Sequence, residues 1–222
     1  MKLHFGPVKL TFMTQVFTPP IKNIAELLRR LGDIPPDRVR FDPTPGTATV
    51  ADLFDLKNRG CELVDGTLVE KTVGWNESNL GGWILTIINN FVIPRNLGKV
   101  SGEQGMMELP GGSVRGPDVA FISWERLPTE LSAIPAMVPD FVVEVLSLSN
   151  SKAEMLRKRE EYFRSGVRLV WEVDPRMRTV NAFTSVTEFT SKTKDDRLSG
   201  NDVLPGFVVE VSQIFAELDR GA

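Results

Sequence analysis

Apolar and polar positions along this chain define one unit most clearly, residues 139–175, PDFVVEVLSLSNSKAEMLRKREEYFRSGVRLVWEVDP. Phe141, Val142, Val143, Val145 and Leu146 leave no polar face, the pattern of a strand buried on both sides in a parallel or mixed sheet. Ser151-Lys152-Ala153-Glu154 fits a capping box. Met155, Leu156, Tyr162 and Phe163 form a helical stripe, and Gly166 stands where a helix stops, so a helix is predicted over about 152–165. Residues 168–173 read as a second, mostly apolar strand closed by Asp174-Pro175. Strand, helix and strand in that order imply a right-handed crossover and parallel pairing.

The flanking segments extend this α/β pattern. Residues 1–48 carry Pro19-Pro20, Pro35-Pro36, Pro43 and Pro45 and one short helical stretch, 21–31. They read as a proline-rich extension packing on a main domain of residues 49–222 or on a partner. Val50, Leu53, Phe54 and Leu56 predict a short helix. Residues 61–70 predict a hairpin, because Asp65-Gly66 separates two alternating runs. Leu80, Trp83, Ile84, Ile87, Ile88 and Phe91 recur at helical spacing over 77–91, with Pro94 and Gly98 as stop signals. Further strands are expected over 99–109 and 115–122, then a polar loop over 124–138. An antiparallel extension is expected over 178–183 and 188–190, a charged loop over 192–202, a return to the core over 203–207 and a C-terminal helix over 212–218.

Composition narrows the chemistry. With 222 residues and 41% hydrophobic content, the chain can bury a substantial core. A net charge of −3 excludes a strongly basic nucleic-acid binder, though not a local basic patch. Cys61 is the sole cysteine, so no intrachain disulfide can form and a reducing compartment fits. No run approaches a membrane span and no signal-peptide pattern stands out, so a cytoplasmic protein without membrane association is expected. The single histidine, His4, lies in the N-terminal tail. Ser/His/Asp triads, Cys/His pairs, His-based metal sites and HNH-type nuclease chemistry therefore lack their residues. Any catalysis must rest on carboxylates, Lys, Arg or hydroxyls, and hard oxygen ligands favour magnesium or manganese over zinc.

Glu144 interrupts the apolar run 141–146, where an ionised carboxylate is costly unless a cation, a metal or several donors offset its lost hydration. Asp118 opens the neighbouring apolar strand. Lys158 falls at the edge of the helical stripe, one turn from Met155 and Tyr162, where its ammonium can reach a neighbouring carboxylate. Two acids and a lysine at a sheet edge are a common arrangement for metal-dependent phosphodiester cleavage. The acids hold the ion that polarises the phosphate and lowers the pKa of bound water, and the lysine positions or helps deprotonate that water. Plainer readings stand beside these: a turn acid for Asp118, a structural ion pair for Glu144 and a solvated pair with Glu154 for Lys158. Tyr162, Trp171 and Trp83 read as core, Ser147 and Ser149 as loop and cap residues. Arg157, Arg159, Arg164 and Arg168 read as a solvated face or as phosphate contacts.

The segments CELVDGTLVEK (61–71), GPDVAFIS (116–123), PDFVVEVLSLSN (139–150), KREEYFRSGVRLVWEVDP (158–175) and DVLPGFVVEVSQIF (202–215) resemble the Uma-two family of restriction-endonuclease-like proteins. The resemblance spans roughly residues 49–218. It implies the PD-(D/E)XK nuclease core, a central mixed sheet flanked by helices, and a magnesium- or manganese-dependent endonuclease acting on DNA to leave a 5′-phosphate and a 3′-hydroxyl. It further implies catalytic Asp118, Glu144 and Lys158, with metal ligation by Asp118, Glu144, the Val145 carbonyl and Glu77. The general pattern places a lysine two residues after the second acid. Leu146 stands there, and the family moves the amine to the following helix, which puts Lys158 in the role. Glu172 offers a third carboxylate or a solvent-facing acid. A homodimer is expected from the resemblance alone. The rival reading is a catalytically degenerate nucleic-acid-binding or assembly module, and an RNA or small-nucleotide substrate is a third.

Overall fold

The computed structural model describes residues 20–220, so His4 and the tail around it lie outside the described residues. In chain order the elements are α1 (Ile24–Arg30), β1 (Cys61–Val64), β2 (Thr67–Glu70), α2 (Trp75–Arg95), β3 (Gly98–Gly102), β4 (Met107–Glu108), β5 (Val114–Arg115), β6 (Val119–Ser123), β7 (Phe141–Val145), α3 (Lys152–Ser165), β8 (Leu169–Asp174), β9 (Thr179–Phe183), β10 (Phe189–Lys192), β11 (Arg197–Ser199), β12 (Val208–Glu210) and α4 (Val211–Phe215). A six-stranded sheet, ordered β10-β9-β8-β7-β6-β3, forms the centre. Its β7–β8 pair is parallel and the other pairs are antiparallel, giving the mixed α/β sheet flanked by helices that the sequence predicts.

The β7-α3-β8 unit forms for the reasons read from its residues. The Ser151 hydroxyl accepts from the Glu154 N–H at 2.9 Å and caps α3. Gly166 ends the helix at φ 102°, a left-handed conformation that glycine adopts without a Cβ clash. Alternation along the strands then sorts the core. Phe141, Val143, Val145, Leu169, Trp171 and Val173 pack with Leu80, Ile84, Ile88 and Val92 of α2 on one face of the sheet. Val142 and Val170 pack with Tyr162 of α3 on the other. Glu144 shares the parity of Val142 and so faces α3.

A second sheet, ordered β2-β1-β5-β4, lies beyond α3. Its hairpin turns through Asp65 and Gly66, both at positive φ (47° and 66°), as the Asp-Gly pair predicts. Residues of the N-terminal segment cover this sheet: Leu27, Leu31, Ile34 and Val39 bury against Val64 and Val69. Gly32 lies so close to α3 that a Cβ there would meet the Glu154 Cα at 2.5 Å, and the Ser151 hydroxyl donates to the Gly32 carbonyl.

The structure corrects several predicted elements. Residues 99–109 and 115–122 are not single strands, because each divides between the two sheets. A side chain at Gly116 would meet Met106 Sδ at 2.5 Å, and Pro117 has no N–H for a ladder. The chain therefore leaves the small sheet after β5 and joins the large one at β6. Helix α2 begins at Trp75 and runs past Pro94 to a left-handed cap at Asn96. Residues 197–199, read as loop, form β11 and pair with β12. Among the described residues no helix is long and apolar enough to cross a membrane.

Candidate active site

The ladder places Val119 opposite Val143, so Asp118, one residue before β6, falls beside the end of β7. Its Oδ2 accepts the Val145 N–H at 2.6 Å and its Oδ1 accepts from Lys71 Nζ at 2.7 Å. Lys71 also donates to the Gly116 carbonyl at 2.7 Å. Glu144 receives Lys158 Nζ on Oε2 at 3.1 Å and the Tyr162 hydroxyl on Oε1. Glu144 and Lys158 are each only 3% exposed, so the ammonium is held within the protein and not in a solvated pair with Glu154. Glu154 pairs instead with Arg38 through two hydrogen bonds, at 2.8 and 3.0 Å.

Behind Lys158 lies a second acid. Glu62 of β1 comes within 3.6 Å of Lys158 Nζ, accepts the Gly116 N–H at 3.1 Å and pairs with Arg115 Nη1 at 2.8 Å. Arg115 reaches Glu161 of α3 with its other nitrogens. Burial raises the Glu144 carboxyl above its usual range, Asp118 adds to the rise, and Lys158 opposes it. Burial also raises Glu62, but Lys158, Arg115 and Lys71 outweigh it and hold the carboxyl at about 2. Lys158 loses hydration on burial, yet Glu144 and Glu62 more than compensate, raising its pKa and keeping it a cation.

The residues singled out from the sequence converge on one polar cleft, lined by Arg38, Lys71, Glu77, Asp118, Glu144 and Lys158 among others. Glu77, in the first turn of α2, is half-buried at its rim. The Val145 N–H, rather than its carbonyl, makes the contact with Asp118. Leu146, where the general nuclease pattern has lysine, is half-buried and extends the ladder by donating to the Val173 carbonyl at 2.8 Å. Glu172 neither joins the cleft nor faces solvent: it is buried and paired with Arg159 at 2.5 Å. Arg157 pairs with Asp65 and Glu161, and Arg168 lies 3.4 Å from Asp140.

Sequence reasoning missed Glu62, Lys71, Arg115 and Arg38, and read Tyr162 as core alone. Glu62 carried a usable signal, since it interrupts Cys61-Leu63-Val64 as Glu144 interrupts its own run. Lys71 and Arg38 carried none, because only the assembled fold brings them to the cleft.

Among the described residues no cluster of three or more Asp, Glu, His or Cys side chains is arranged to hold a metal ion. Donor chemistry nevertheless suits a hard dication. Asp118 and the Gly116 carbonyl already seat a cation, the Lys71 ammonium, entirely on oxygen. Neither imidazole nor thiolate lines the cleft, so an ion there would meet oxygen donors.

No curated protein matches this chain. One similar solved structure is that of "a putative nuclease belonging to DUF820" from Anabaena variabilis. It shares 20% identity at a TM-score of 0.65 over 71% of this chain and 90% of its own, a likeness of fold. The family model described as "Uma2: Putative restriction endonuclease" matches residues 50–212, a stretch containing all three sheets, α2, α3 and the acids of the cleft. This chain belongs to the Uma2 family.

Proposed function

We propose that this protein is a metal-dependent endonuclease that hydrolyses DNA phosphodiester bonds in the cleft at the ends of β6 and β7. One observation carries the reading: two buried acids, Asp118 just before β6 and Glu144 within the adjacent β7, with a buried ammonium 3.1 Å from the second. Family membership supports it. Asp118 and Glu144 would hold magnesium or manganese, with the Val145 carbonyl and Glu77 as further oxygen donors. The bound ion supplies Lewis-acid polarisation of the scissile phosphate and an acidified water.

The chain's own groups orient that chemistry. Glu144 and Glu62 hold Lys158 as a cation in the ion-free chain, and in this role it would act as a donor that positions the attacking water or a phosphate oxygen. Tyr162 fixes the Glu144 carboxylate through its hydroxyl, while Glu62 and Arg115 brace Lys158 from behind. In-line displacement would leave a 5′-phosphate and a 3′-hydroxyl.

The test is plasmid nicking with added manganese, run with wild type, Asp118→Asn and Glu144→Gln. Nicking by wild type alone is expected, and cleavage retained by either purified variant would contradict the assignment. A second reading, a degenerate module that binds nucleic acid without cutting, draws on the full engagement of both acids by internal partners and on Leu146. Stoichiometric DNA binding by wild type with no nicking would favour it.

A further inference from the structure

Lys71 plays no part in the chemistry above, yet its ammonium holds one oxygen of Asp118, a proposed metal ligand. It follows β2 immediately and reaches across to Asp118 Oδ1 and the Gly116 carbonyl, both at 2.7 Å. Its charge also acts on Glu62 and Glu144. Its side chain is 14% exposed, against 4% for Lys158, and it stands in the wall between the catalytic cleft and a second cavity of about 320 Å³. That cavity also carries Glu62 and Glu103, and among the described residues the one hydrogen bond on the Glu103 carboxylate is a long one, from Ser78 Oγ at 3.3 Å. Lysine suits a movable cation: it is a point charge on a flexible four-carbon stem, without the fixed planar fork that locks Arg115 between two carboxylates.

A dication and an ammonium cannot both sit against one carboxylate oxygen, because their repulsion at contact distance in a buried site is large. We propose that Lys71 is a displaceable internal cation that occupies the metal seat at Asp118, so that the divalent ion and the ammonium hold this acid in turn. Ion entry swings Lys71 toward the adjoining cavity and its Glu103 carboxylate. In the resting state the ammonium neutralises Asp118 and keeps the pair of acids from repelling each other. In the loaded state it is released near the position a substrate phosphate would take. This inference rests on the metal-dependent reading and makes it specific: Lys71 sets how tightly the ion binds.

The experiment is calorimetric titration of the full chain with manganese chloride, comparing wild type, Lys71→Met and Lys71→Arg, with Asp118→Asn as the reference for the seat. Removing the competing charge should tighten manganese binding by about tenfold or more in Lys71→Met, whereas Lys71→Arg should bind no more tightly than wild type. Equal affinity in wild type and Lys71→Met overturns this inference and leaves the metal site standing. No binding to either protein overturns it together with the reading it rests on. Should Lys71→Met fail to fold, the 15N resonance of the Lys71 ammonium in wild type decides, with Lys71→Arg supplying its assignment. Displacement requires that signal to shift as magnesium is added, and an unmoved signal at saturating magnesium contradicts it.

Discussion

Glu62 and Glu144 are the same residue type in the same kind of place, an acid inside a short, wholly buried strand, 2% and 3% exposed, facing one shared ammonium. Their electrostatics diverge. Glu62 is held at about 2, while Glu144 is raised. The difference lies in the partners. Glu62 has a guanidinium, a backbone N–H and Lys158, all buried and fixed. Glu144 has Lys158 and a neutral hydroxyl, and a second acid, Asp118, adds to its burden. One corner is saturated with positive charge and acts as a brace. The other is short of it, and on the proposed reading that deficit is where a divalent cation would enter.

This contrast can be broken most severely by activity. Glu144→Gln should lower nicking by on the order of a thousandfold or more, in line with the loss of an essential electrostatic group, and gel quantitation of nicked plasmid measures it. Its stability should fall less than that of a truncation at Glu62, because glutamine keeps the side-chain volume and an oxygen that accepts from Lys158 or Tyr162.

Glu62→Ala should show the opposite profile. It strips the counter-charge from buried Arg115 and Lys158, and removing one partner of a buried ion cluster costs about 3–5 kcal/mol, readable by urea unfolding. A pH series sharpens the same point. The Glu62 carboxyl is depressed from 4.5 to about 2 on folding, so its contribution is complete above 4.5 and is lost as pH falls toward about 2. Between about pH 6 and about pH 2.5, wild type should therefore lose on the order of 2–3 kcal/mol more stability than Glu62→Gln. A parallel loss in both proteins would remove Glu62 from its bracing role.

The smallest effect is expected from Tyr162→Phe, which deletes the neutral donor on Glu144 and leaves the packing volume intact. About 1–3 kcal/mol of stability should go, with a fall in nicking smaller than that of Glu144→Gln, measured by urea unfolding beside the plasmid assay.

The fold was legible wherever a local pattern decided the local structure. The Asp65-Gly66 hairpin, the capped α3 and the parallel β7–β8 pair follow from turn chemistry, capping and unbroken apolar runs. The division of 99–109 and 115–122 between two sheets was not, because alternation specifies which face a residue takes but not which sheet it joins. The three-residue β11 was too short to alternate, with Leu198 alone buried. In the site, Asp118, Glu144 and Lys158 stood out as charges against apolar surroundings. Arg38 did not, since its partner Glu154 lies 116 residues away, and neither did Lys71, whose target is 47 residues distant. The N-terminal segment, read as an appendage, supplies Arg38 to the lining of the cleft.

Equilibrium dialysis against manganese tests the central claim most directly, with wild type beside Asp118→Asn and Glu144→Gln. The account predicts one ion per wild-type chain and none for either variant at the same free concentration. An ion held equally by all three, or by none, would contradict it.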